Sequence, residues 1–200
     1  EAVFTGGEQS VWFGSDTSEV DKDALKKERK KELSKASRVI GIDETIFLGE
    51  PDSEVARSLN LIHRVMALVR EVKPSIIFTL HHNDYHPDHR AVATITTEAV
   101  DRASWPIAPH LGQPHKADAL LHTDGEYPCR ADFLVDVSKF ESKTEKAMDA
   151  YGSQMQEEHR RLCRSIRMYR GFFKNGSKNA EAFEIADRHP IDLESLSIIS

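Results

Sequence analysis

Apolar positions along the chain fall into short runs and stepped stripes that alternate with one another. Val3-Phe4-Thr5 reads as the end of a short buried strand entering the turn Gly6-Gly7-Glu8. From Asp21 to Ile40 a lysine-rich stretch carries Leu25, Leu33, Ala36 and Ile40 at a roughly helical period, with Gly41 where a C-cap is expected, so an exposed amphipathic helix is predicted. Thr45-Ile46-Phe47-Leu48, ended by Gly49 and Pro51, suits a parallel strand with Asp52 in the loop beyond it. The clearest helix runs from Val55 to Val72, where Val55, Leu59, Ile62, Met66 and Val69 step by four and three ahead of Pro74. Ser75 to Leu80 is a nearly unbroken apolar strand, followed by a polar loop from His81 to Arg90. Pro87 and Asp88 suit the first turn of a helix that continues from Ala91 to Ala103.

Trp105 to Pro128, rich in proline and glycine, reads as an irregular surface excursion that shapes a pocket rim. Beyond it, Phe133 to Val137 forms a strand, Phe140 to about Tyr169 a long helical pattern interrupted at Gly152, and Ala182 to Ile185 a last strand. No internal repeat is visible. This alternation predicts an α/β, Rossmann-like fold: a mostly parallel sheet flanked by helices in three layers. Two hundred residues suit one domain spanning 1–200.

Composition narrows the function classes. A hydrophobic fraction of 39% and a charged fraction of 30% are those of an ordinary globule. No apolar run approaches the roughly 18 residues of a membrane span, and the start lacks a signal-peptide pattern, so a soluble, cytoplasmic chain is expected. Cys129 and Cys163 lie far apart without a CxxC spacing, which indicates neither a disulfide framework nor a thiolate zinc site. The net charge of -6 disfavours nucleic acid as the main partner. A homo-oligomer is compatible with all of this.

The histidines change the picture more. Segment 81–90, His-His-Asn-Asp-Tyr-His-Pro-Asp-His-Arg, packs four histidines and two aspartates into ten residues at a strand's carboxyl end, where α/β sheets collect ligands. A lone histidine is more often surface or cap than ligand, but a cluster in this place favours function. If Pro87 opens a helix, His86 and His89 share one face and their rings can reach a common point. Asp88, between them, is placed to accept a proton from a ring N–H. Tyr85 is either a donor or a packed loop aromatic. Arg160, Arg164 and Arg167 form a basic stripe that fits an anion less well than a salt-bridged solvated face.

His86-Pro87-Asp88-His89-Arg90, preceded by Asn83-Asp84, resembles the second signature of the LmbE/PIG-L-like N-acetylglucosaminyl deacetylases. Other pieces follow in family order: Thr5-x-Gly7-Glu8, Arg29-x-x-Glu32, Leu48-Gly49-x-x-Asp52, Tyr151-x-Ser153-Gln154 and Ala180-Glu181-Ala182-Phe183. The resemblance implies zinc-dependent hydrolysis of the N-acetyl group of an N-acetylglucosamine-type sugar or conjugate. In that pattern His89 is a metal ligand, His86 with Asp88 stabilises the oxyanion, and Arg29, Asp52 and Tyr85 are substrate-binding candidates. Zinc suits an imidazole and carboxylate site, which would also accept another divalent ion. Relatives place a late histidine near the substrate, and His110, His115 and His122 are the candidates.

One departure matters. The family's first signature, His-Pro-Asp-Asp, which supplies two metal ligands and the general base, is absent, and the other His-Pro, His189-Pro190, is followed by Ile191-Asp192. The resemblance therefore implies an N-terminally incomplete domain whose first strand, with roughly thirty or more residues, lies outside the chain shown. Two alternatives stand beside the deacetylase: a catalytically inactive carbohydrate-binding homologue, and an amidase acting on a larger acyl-sugar conjugate.

Overall fold

The computed structural model describes residues 1–9, 20–125 and 128–186. They form two compact units, one from 1–55 and 136–180, the other from 56–135 and 181–186, each taken over its described residues. His189 and Pro190 lie outside the described residues.

In the first unit, β1 (Ala2–Thr5) pairs in parallel with β2 (Ile46–Glu50). The register slips between Val3 and Thr5, opposite Gly49, whose φ of 74° is left-handed; the bulge therefore falls where glycine costs least. Helix α1 (Lys22–Ile40) connects them, capped by the Asp21 carboxylate accepting from Ala24 N–H and ended by Gly41. Its buried face is not the apolar one expected. Arg29, Glu32, Ala36 and Ser37 face inward, while Ile40 is exposed. The helical pattern from 140 is two helices, α4 (Glu141–Asp149) and α5 (Glu157–Phe173), separated by a turn around Gly152.

The second unit carries a four-stranded sheet in the order β3-β4-β6-β5, with β3 (Ile76–Leu80), β4 (Ala119–Thr123), β5 (Phe133–Asp136) and β6 (Ala180–Ile185). β3 and β4 run parallel from Ile76↔Ala119 to Leu80↔Thr123, and β6 is antiparallel to β4. β4 corrects the reading of 105–128 as irregular: Ala119, Leu120 and Leu121 are among the most buried residues described. Helix α2 spans Leu59–Val72, four residues later than Val55, because the Ser58 side chain caps it by accepting from Leu61 N–H. Helix α3 spans Pro87–Ala103, and α2 and α3 bury Leu61, Ile62, Met66, Ile95 and Val100. β3 is less covered than its apolar run suggests, with Phe78 54% exposed. Among the described residues no helix is long and apolar enough to cross a membrane.

Candidate active site

The loop leaving β3 is built by short-range turns that its sequence dictates. Asp84, only 4% exposed, accepts from the backbone N–H of His86 at 2.8 Å, the local turn that an aspartate two residues back favours. His86 is the N-cap of α3 and Pro87 its first residue, so the helix starts where its fixed φ is an asset. Arg90, one turn on, donates to the carbonyls of Asp84 and Tyr85 at 2.8 and 2.6 Å, closing the loop onto the helix.

This geometry brings the two signature imidazoles together. The rings of His86 and His89 have centroids 4.8 Å apart, tilted by 34°. His89 Nδ1 lies 3.0 Å from Asp84 Oδ2. That contact is out of line for a hydrogen bond, and Nδ1 is buried with no hydrogen-bond partner among the described residues. The contact seen between His86 and Asp88 is made by the backbone: Asp88 N–H donates to His86 Nδ1 at 3.2 Å. A ring nitrogen that accepts carries no proton, so the neutral His86 ring holds its proton on Nε2, the nitrogen left to donate. The Asp88 carboxylate is buried on the first turn of α3. Tyr85 is exposed, edge-on to His86 at 6.0 Å between centroids.

Arg29 and Asp52 gather separately, in the first unit. Asp52 is buried, accepting from Thr5 Oγ1 at 3.2 Å and from Gln9 N–H at 2.8 Å. Buried Arg29 donates to the Gly7 carbonyl, and a side chain at Gly7, whose φ is 70°, would press on the guanidinium. Burial pulls the Arg29 pKa down, opposed by Asp52, Glu32, Glu28 and Glu8. Glu32 is held by Ser153, whose N–H and Oγ both donate to its carboxylate at 2.7 Å. Both motif residues thus stabilise a turn.

Asp84, to which the sequence assigned no role of its own, orders the turn into His86; the signal was its spacing of two from His86. Of the three late histidines, His115 bonds the Pro74 carbonyl and His110 packs edge-on to His63. His122, near the end of β4, lines a cleft of about 570 Å³ with His82 and Glu184. The basic stripe is neutralised: Arg160 pairs with Asp149, Arg164 with Glu145 and Glu157, and Arg167 with Glu145.

Comparison with known proteins places this chain among relatives of similar sequence and fold. Residues 2–100, which include Arg29, Asp52 and the whole histidine loop, match the family described as PIG-L, GlcNAc-PI de-N-acetylase. A 1D-myo-inositol 2-acetamido-2-deoxy-alpha-D-glucopyranoside deacetylase of Mycobacteroides abscessus is 33% identical over 96 residues, 38% of this chain and 34% of the relative. The match thus spans about a third of that relative's length. Among solved structures, a conserved protein of Thermus thermophilus is 29% identical, with a TM-score of 0.80 over 96% of this chain and 82% of its own. The N,N'-diacetylchitobiose deacetylase of Pyrococcus horikoshii, bound to an inhibitor, shares the fold at 21% identity, with a TM-score of 0.79 over 92% of this chain and 71% of its own. GalB, a 4-carboxy-2-hydroxymuconate hydratase of Pseudomonas putida, shares it at 17% identity, with a TM-score of 0.75 over 96% and 85%.

Proposed function

We propose, from the premise that this chain belongs to the PIG-L/LmbE family of deacetylases, that it is the catalytic part of a zinc-dependent hydrolase that removes the N-acetyl group from an N-acetylglucosamine-type substrate. The observation that carries the reading is the pair of imidazoles, His86 and His89, at 4.8 Å on the first turn of α3, ordered by buried Asp84. Capping α3 occupies one nitrogen of His86 and asks only for a side-chain acceptor, so it does not account for two adjoining imidazoles.

The donor set fits a divalent ion in part. A buried imidazole nitrogen without a hydrogen-bond partner, 3.0 Å from a buried carboxylate, is an arrangement that a cation would satisfy. His89 would hold the metal. Its companions are the residues of a His-Pro-Asp-Asp signature, which is not among these 200 residues, so the activity belongs to a chain that carries both. When bound, the ion would polarise the acetyl carbonyl and acidify water. His86 contributes a proton at Nε2, aimed as a hydrogen-bond donor at the charge that develops on the carbonyl oxygen. Asp88 fixes the His86 ring through its backbone N–H, and Tyr85, Arg29 and Asp52 are assigned to substrate binding, the last two by shaping the Gly7 turn.

The test uses the full-length chain and acetate release from N-acetylglucosamine conjugates. His89→Ala is expected to lose both metal and turnover. His86→Ala is expected to keep the metal while turnover falls on the order of a hundredfold or more. Full activity in both variants overturns the assignment. Metal and sugar binding without turnover in the full-length protein gives the inactive carbohydrate-binding homologue instead. Release of a longer acid in place of acetate identifies an amidase.

A further inference from the structure

A second group of ligating side chains lies in the same unit, and the chemistry above does not use it. His81, which follows β3, is 1% exposed and is hydrogen-bonded to Glu184 of β6 at 2.5 Å between Nε2 and Oε2. Its other nitrogen, Nδ1, accepts from Asn83 N–H at 3.0 Å, which leaves Nε2 as the nitrogen that donates to Glu184. The His82 ring stacks on His81 with centroids 4.3 Å apart. His122 stands edge-on to both, at 5.8 and 5.5 Å, with Nδ1 held by the Leu80 carbonyl.

The result is a buried carboxylate whose one ion-pair partner among the described residues is a histidine, surrounded by three imidazoles that repel one another if protonated. A divalent cation resolves that conflict, because it offers positive charge to the carboxylate and takes lone pairs from neutral rings. We propose that His81, His82 and Glu184 form a second divalent-cation site, distinct from the His86–His89 pair, which ties the loop leaving β3 to β6.

Three observations support it. One donor atom from each of the three residues lies within 4.8 Å of the others. Donors about 2.1 Å from a tetrahedral ion stand about 3.4 Å apart, so the His81–Glu184 contact of 2.5 Å must open by roughly an ångström while the third donor closes in by roughly an ångström from within 4.8 Å. His82, the exposed member, has the freedom to supply it. Finally, Glu184, His82 and His122 face the cleft of about 570 Å³, which gives an ion a path in. Proton balance is simple: the ion replaces the proton on His81 Nε2, which leaves to solvent, while Glu184 passes from accepting that proton to sharing the cation. The role that follows is structural. An ion here would anchor the first residues of the segment that ends in His86 and His89.

The test is Zn²⁺ stoichiometry on the full-length chain, by metal analysis after equilibration and removal of free ion, so it does not depend on turnover. The expected result is two Zn²⁺ per wild-type chain, one in His89→Ala, one in His82→Ala and none in the double variant. His82 is exposed, so its replacement leaves the apo fold intact, with an unchanged far-ultraviolet spectrum as the check. In the His89→Ala background, Zn²⁺ should raise the melting temperature, and adding His82→Ala should abolish the rise. One Zn²⁺ in wild type with none in His89→Ala overturns the second site, as does a melting shift that survives His82→Ala. Failure of the His89 site is distinguishable, since it leaves one Zn²⁺ in wild type and in His89→Ala but none in His82→Ala.

Discussion

The histidine loop after β3 and the Arg29–Asp52 cluster in the first unit are both polar constructions beyond parallel strands, yet they are assembled in opposite ways. Around the His86–His89 pair the loop's ordering contacts are local: Asp84 to His86, His86 to Asp88, and Arg90 back to Asp84 and Tyr85. The cluster joins distant segments, with Arg29 reaching Gly7 across 22 positions, Asp52 reaching Gln9 and Thr5 across 43 and 47, and Glu32 held by Ser153 across 121. Local turns form from few residues and leave side chains free to react. Contacts between distant segments must be assembled by folding, so their polar groups serve stability as well as any ligand.

This difference predicts where a single substitution acts. The largest effect is expected at Asp84, which orders His86 and stands beside His89. Asp84→Ala should cost about 1.5–3 kcal/mol in denaturant unfolding, as loss of a hydrogen bond to a buried charged group does. In the full-length chain it should also weaken zinc 10–100-fold, the effect of removing a group that orients a ligand. Asp84→Asn separates the two roles: its side-chain oxygen can still accept from His86 N–H, so stability should largely recover while zinc affinity stays low. Wild-type zinc affinity in Asp84→Asn would reduce the carboxylate to a turn former and remove the contrast with the first unit.

A smaller and opposite pattern is expected at Asp52. Asp52→Ala strips the acceptor from Thr5 and Gln9 and leaves Arg29 with one fewer counter-charge, costing about 1–3 kcal/mol of stability. If the turn also positions the sugar, KM of the full-length enzyme should rise with kcat changed less. Steady-state kinetics beside urea unfolding separates the cases. A fall in kcat with stability unchanged would place Asp52 among reacting groups and erase the distinction drawn above.

The same distinction explains what could be read from sequence. His86, His89 and the start of α3 were legible because proline, aspartate and histidine spacing encodes them within ten residues. β4 was missed: Ala-Leu-Leu-His-Thr holds no Val or Ile, and the prolines and glycines around it speak for loop. The buried face of α1 was misread because Arg29 and Glu32 go inward, where Gly7 and Ser153, distant in sequence, bond them, while Ile40 stays out. Glu184 was invisible as a partner of His81 because 103 positions separate them.

The smallest predicted effect concerns charge that neither region uses for chemistry. On α5 the arginine stripe reads like an anion site, but Glu145 of α4 receives Arg164 through Nε and Nη2, at 3.1 and 2.6 Å, and Arg167 at 3.3 Å. Hydrogen bonding to Arg164 holds the Glu145 pKa below its usual value, against partial burial. A carboxylate depressed in the folded state is ionised there while the unfolded chain takes up the proton, so its stabilising contribution is complete above the ordinary value of 4.5 and fades as pH falls through the lower, folded one. Because both partners are partly solvated, Glu145→Gln should cost only about 0.5–1 kcal/mol at pH 7. Thermal melts of wild type and Glu145→Gln should converge progressively as pH falls below about 4.5, and again in 1 M salt, where screening weakens the exposed pair. A gap that narrows with neither acid nor salt would mean that packing, not charge, joins α4 to α5. The stripe would then have arginines to spare for an anion, and the first unit would hold a ligand site made, like the histidine loop, from one stretch of sequence.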